Sequence, residues 1–123
     1  MPFGETMREH LLDWQWSDYS AKHRNRTNLL LHIFVVPLFD AAMVILVFAL
    51  LSRLFVLAGL ALACILVSMI LQGRGHKFEK ESPVPFAGTL DFPTRFLAEQ
   101  WITFPRFVLS GGWYRNFTQA KQS

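Results

Sequence analysis

Two apolar runs, separated by a single polar pair, decide what this chain can fold into. Leu29–Leu51 is apolar but for His32 and Asp40, and Leu54–Leu71 contains no charged residue; only Ser52 and Arg53 stand between them. An α-helix needs roughly 20 apolar residues to cross a hydrocarbon core of about 30 Å, which the first run exceeds and the second just reaches. With 123 residues there is room for one domain. A 52% hydrophobic composition and a mean hydropathy of +0.28 are unusual for a small soluble one. The reading is an all-α integral membrane protein, residues 1–123 forming one membrane domain. Its centre is a transmembrane hairpin, with helices over about 28–51 and 54–71.

The flanking charges give the hairpin a direction. Lys22, Arg24, Arg26, Arg74, Lys77 and Lys80 gather on the side of the termini, against Arg53 at the turn. The positive-inside rule then puts both termini in the cytoplasm, in a bacterial inner membrane or an endoplasmic-reticulum-like one. These charges flank apolar segments instead of forming a basic stripe, which argues for membrane lipids as partners and against nucleic acid. Such a hairpin is also compatible with an oligomer. The first residues lack the basic and apolar regions of a cleaved signal peptide. Residues 5–23 carry Met7, Leu11, Leu12, Trp14 and Trp16 among charges, the pattern of an amphipathic helix at an interface or packed on the domain. Residues 92–109 are too short and polar to span unaided and read as an interfacial or re-entrant helix. Prolines 83, 85, 93 and 105 and glycines 88, 111 and 112 break the C-terminal part into short pieces, and a frayed tail is expected from Thr118. Cys64, inside the second run, has no partner for an intrachain disulfide and reads as a buried small hydrophobe.

The polar residues bordering the runs carry the chemistry. Leu71–Pro83 reads LQGRGHKFEKESP, in which Gln72, His76 and Glu79 can hold a metal or a proton, while Gly73 and Gly75 permit close backbone approach. His76 and Glu79 are three apart and share one face of a helical turn, a spacing met in helical metal sites. His32 lies within an apolar helix, where ionisable groups are rare and tend to be functional. Asp40 is costlier still, at roughly 2.5–3.5 kcal/mol for a mid-membrane carboxylate, and should be protonated, paired or turned inward. Pro37 removes a backbone donor and is expected to kink the first helix. His23 and His32 are nine apart, which on one straight helix sets them on opposite faces. For both to reach one ion the chain must break between them, in the segment 25–28, with Thr27 or Asn28 as the helix N-cap. An antiparallel hairpin brings His23, His32, His76 and Glu79 to one membrane level. His10 reads as a surface residue. Imidazole with carboxylate suits Fe(II), Zn or Mn. There is no phosphate-binding loop and no nucleophile elbow. A non-catalytic lipid-binding protein and a metal-dependent lipid hydrolase remain as alternative readings.

Two blocks, His23–Asn25–Asn28–His32 followed by Pro37, and Gln72–Gly75–His76–Glu79–Pro83, each lie beside an apolar run. In that order they resemble the signature blocks of the domain of unknown function 962 family, which includes the yeast endoplasmic-reticulum 2-hydroxy fatty acid dioxygenase. The likeness covers roughly the first two-thirds of the chain. It implies an Fe(II)-dependent membrane dioxygenase that uses O₂ to shorten 2-hydroxy fatty acids by one carbon. It further implies His23, His32 and His76 as iron ligands, with Glu79 a fourth ligand or a base orienting an imidazole. Asn28 and Gln72 become supporting hydrogen-bonding groups. Arg24 and Arg74 are then candidates to neutralise the carboxylate of the fatty-acyl substrate.

Overall fold

A computed structural model describes residues 9–120, and every element in it is helical. The order is α1 (Leu11–Ser17), α2 (Arg26–Leu51), α3 (Phe55–His76), α4 (Asp91–Ala98), a π-helical turn (Glu99–Thr103), α5 (Phe104–Leu109) and α6 (Gly112–Gln119). α2 and α3 form the hairpin, and at 1.5 Å per residue they are about 39 and 33 Å long. Both are long and apolar enough to cross a membrane. They extend past the expected bounds, because the polar residues at their site ends stay helical.

The helix starts and stops follow local chemistry. Asn25 is the N-cap of α2, its side chain accepting from the Asn28 backbone N–H at 3.0 Å, so the cap falls earlier than Thr27 or Asn28. The chain therefore does break between His23 and His32. α2 continues through Pro37. At the hairpin turn Arg53 takes a left-handed conformation, φ 57°, and the Leu54 N–H closes on the Ala49 carbonyl at 2.8 Å.

The two long helices meet along a narrow seam. α2 contributes His32, Phe39, Ala42 and Ala49, and α3 contributes Ala58, Ala61, Ile65, Ser68, Gln72 and Gly75. Small residues dominate toward the turn, where they let the backbones approach. The outward faces carry large apolar groups left open, such as Phe34, Val44, Phe55 and Val56, the last 81% exposed. In water such a surface is a liability, whereas lipid is its natural solvent. Cys64 lies on this outer face instead of being buried.

The remaining helices cap one end of the hairpin. Within the expected amphipathic stretch 5–23 the helix is α1, followed by turns to Lys22; residues 5–8 lie outside those described. The expected helix over 92–109 is present as α4, the π-helical turn and α5 in succession. The last of these packs Phe104 and Phe107 against Tyr19, Leu29 and Val36, and α4 lays Phe96 against the Phe39–Ala42–Ile65 cluster. α6 is one of the short pieces expected between the glycines and the tail; it begins directly after Gly111 at φ 85° and runs to Gln119, two residues into the expected tail. Its Trp113 and Phe117 stack and complete the same core.

Candidate metal centre

Three imidazoles from three segments meet beneath the cap. His23 comes from the turn before α2, His32 from the second turn of α2, and His76 is the last residue of α3. Their ring centroids stand 4.9–5.2 Å apart with interplanar angles of 77–83°, so each ring presents an edge to the others. Glu99, the first residue of the π-helical turn, closes the group: Oε2 lies 3.3 Å from His23 Nε2 and 3.7 Å from His32 Nε2. One ligand atom from each of the four residues falls within 4.8 Å of all the others.

The hydrogen bonding fixes what these atoms can do. His23 Nδ1 is 2.8 Å from the Tyr19 carbonyl, and His32 Nδ1 is 3.0 Å from the Asn28 carbonyl. A carbonyl only accepts, so both Nδ1 atoms carry the proton and the Nε2 lone pairs face inward. Neither Nε2, nor His76 Nδ1, has a hydrogen-bond partner among the described residues, although all three are buried. Two lone pairs pointed at a carboxylate repel one another unless a cation lies between them. Burial without a partner costs a polar group about 1–3 kcal/mol. A metal ion removes both costs, and the donor set of imidazoles and a carboxylate fits one.

The carboxylate and the imidazoles are held by a second set of bonds. Burial alone would push the Glu99 carboxyl up, but positive charge at the cluster, from His23 first and then from His32 and His76, outweighs it and holds Glu99 well below the usual range. A metal cation acts in the same sense. Tyr19 donates its hydroxyl to Glu99 Oε2 at 2.7 Å and stacks on His23 at 3.8 Å. Burial, followed by the nearby Glu99 charge, raises the Tyr19 pKa well above 10, so it remains a phenol and a donor. Asn116 of α6 donates to the His23 carbonyl at 2.8 Å. Gln72 and Gln100, both buried, each donate an amide N–H to the other's carbonyl oxygen, at 2.9 and 2.7 Å, and pin the π-helical turn to α3. π turns recur at functional sites because the wider turn re-aims one side chain; here that side chain is Glu99.

Of the residues singled out from sequence, His23, His32 and His76 converge, and Glu79 does not join them. α3 ends at His76 and a turn follows, so the helical-face relation between His76 and Glu79 fails. The Glu79 carboxylate is instead occupied by the backbone N–H groups of Arg24 and Asn25, at 2.9 and 3.0 Å, and by Asn28 Nδ2 at 2.7 Å. It ties the end of α3 to the start of α2, between His23 and His32. Gly75 is needed there, since a Cβ at that position would strike Asn28 Oδ1; at Gly73 a Cβ would meet nothing. The Arg24 and Arg74 side chains are exposed and line no part of the cavity below. Glu99, Tyr19, Gln100 and Asn116 were not foreseen. Glu99 is the acidic residue of the Phe-rich stretch 92–109, which was the available signal.

A cavity of about 280 Å³ opens onto His23, His76 and Glu99. Its wall is mainly apolar, with Trp14, Met69, Val84, Phe86, Phe92 and Phe96.

The model of the family described as 2-hydroxy-palmitic acid dioxygenase Mpo1-like matches residues 10–110. The chain belongs to that family. The matched span runs from just before α1 through α5, and so contains all four residues of the cluster. No curated protein and no solved structure matches the chain.

Proposed function

We propose that this family member is an integral membrane dioxygenase that shortens 2-hydroxy fatty acids by one carbon, using iron(II) held by His23, His32, His76 and Glu99. The observation that carries the reading is the convergence of three imidazoles and a carboxylate at the inner end of an apolar cavity. The family description supplies the reaction class, and imidazole–carboxylate sets suit the redox-active metal that O₂ chemistry requires. When bound, the metal supplies a Lewis acid for the hydroxy acid and an electron source for O₂.

The protein's own groups do the rest. Tyr19 O–H and the π-helical turn fix the Glu99 carboxylate, and the Tyr19 and Asn28 carbonyls hold the His23 and His32 rings in the tautomer that offers Nε2. Glu79 acts at one remove, by holding the segment that carries His23. Phe92, Phe96 and Met69 take the acyl chain and keep water away from the reacting carbons. The exposed apolar faces of α2 and α3 would seat the protein in the bilayer, where its substrate partitions, and the flanking charges favour an orientation with both termini in the cytoplasm.

The test is metal analysis with turnover. Protein purified anaerobically in detergent should hold about one iron per chain. It should consume O₂ with a 2-hydroxy acid and release the acid one carbon shorter. His32→Ala and Glu99→Ala should abolish both iron and turnover. Stoichiometric zinc with no O₂ uptake would overturn the reading in favour of a hydrolase.

A further inference from the structure

The cavity wall includes two long cationic side chains among the described residues, Lys22 and Arg95, and they are not equivalent. Lys22 sits toward the exposed surface, its Nζ donating to the Ser82 carbonyl at 2.7 Å and lying 3.8 Å from Asp18. Arg95 is 8% exposed. Its guanidinium lies over two aromatic rings, 4.3 Å from the Phe86 centroid and 4.9 Å from that of Trp14. Nη1 makes a long hydrogen bond to the Pro85 carbonyl at 3.3 Å and a long ion pair with the buried Asp91 carboxylate at 3.4 Å, a single monodentate contact that leaves the fork unfilled. A guanidinium carries five donors in a planar fork. Those two bonds leave the other nitrogens for a further acceptor. Arg95 also precedes Glu99 by four residues, so the two lie one helical turn apart and both face the cavity.

We infer that Arg95 binds the carboxylate of the acyl ligand, setting its head beside Glu99 and its tail among Met69, Phe92 and Phe96. This rests on the reading of the cavity as the substrate site. A bidentate carboxylate matches the guanidinium fork in geometry and charge, and a neutral lipid head does not. The contacts with both rings restrain the fork before the ligand arrives, which lowers the entropic cost of binding. Selection for acids over neutral lipids therefore comes from Arg95, not from the exposed Arg24 or Arg74.

The inference can be tested by equilibrium binding, without turnover. Metal-free protein in detergent is titrated with a 2-hydroxy acid and with the 1,2-diol of the same carbon chain, following tryptophan fluorescence, since Trp14 lines the cavity. The acid should bind about tenfold or more tighter than the diol, and Arg95→Gln should bring the two together while leaving diol affinity unchanged. Arg95→Lys should retain part of the preference, and Lys22→Gln all of it. Comparing each variant with the wild type cancels partition into detergent. An acid preference that survives Arg95→Gln overturns the assignment. So does equal loss of acid and diol binding in that variant, the outcome expected of a brace for residues 83–87. Should Arg95→Gln fail to fold, absence of acid preference in the wild type still overturns it. Failure of the wild type to bind either ligand would instead remove the cavity reading itself.

Discussion

The two ends of the α2–α3 hairpin are built from the same helices by opposite means. Toward the turn the seam is Ala42, Ala49, Ala58 and Ala61, and cohesion comes from close backbone packing. At the other end the seam is His32, Asn28, Gln72 and Gly75, joined by His23, Gln100 and Glu99 from outside the hairpin, and cohesion comes from hydrogen bonds. A small-residue seam tolerates conservative change, because it presents few groups that must be satisfied. A buried polar network does not, since each broken bond strands a partner. The site end is thus expected to be rigid, specific and easily damaged, and the turn end forgiving.

The widest contrast should come from the cluster itself. His76→Ala or Glu99→Gln is expected to reduce iron affinity by more than the roughly 10–100-fold typical of outer partners, read as iron per chain after dialysis. Val56→Ala on the exposed apolar face of α3 should leave it unchanged. Next is Glu79→Gln, which touches no cluster atom but weakens the charged acceptor of three N–H donors. Iron affinity should fall by about 10–100-fold with a smaller loss of thermal stability. An unaltered affinity there would mean that His23 is placed without help from Glu79.

The glycine pair sharpens the comparison within one turn of α3. Gly75→Ala forces a Cβ into Asn28 and should destabilise by about 1–3 kcal/mol. Gly73→Ala, with open space around it, should be neutral or stabilise by up to about 1 kcal/mol, as expected of glycine replaced in a helix. Equal effects in thermal melts would show that the site end is looser than its bonding implies. The smallest effect expected concerns pH. Imidazoles must be neutral to bind metal, so on the proposed reading acidification should release iron by protonating them. Glu99 is held below the usual carboxylate range, so its own contribution persists above that range and is lost only at still lower pH, as pH falls through its depressed pKa. In the wild type, iron release on acidification should therefore follow imidazole protonation, with no separate loss from Glu99 until lower pH, read as iron per chain across a pH series.

The sequence was most informative where periodicity and solvent preference act locally. Two apolar runs and a polar pair specify a helical hairpin, because nothing else satisfies the backbone of such segments. The need for a break between His23 and His32 also followed from helix geometry, and Asn25 provides it. The family resemblance stood on residues of the two blocks, and the matched family spans them. What the sequence left open lies in the segments whose positions depend on folding back. His76 and Glu79 shared a face only if the helix continued, and a turn after His76 carried Glu79 away to bind backbone. Glu99 reached the three imidazoles because α4 and the π-helical turn lie across the hairpin end, pinned by Gln100 to Gln72. Arg95 acquired its place by the same fold. Helix periodicity is written within a few residues, whereas the fourth member of the cluster is set by contacts spanning 67 positions from His32 to Glu99, which only the packed chain decides.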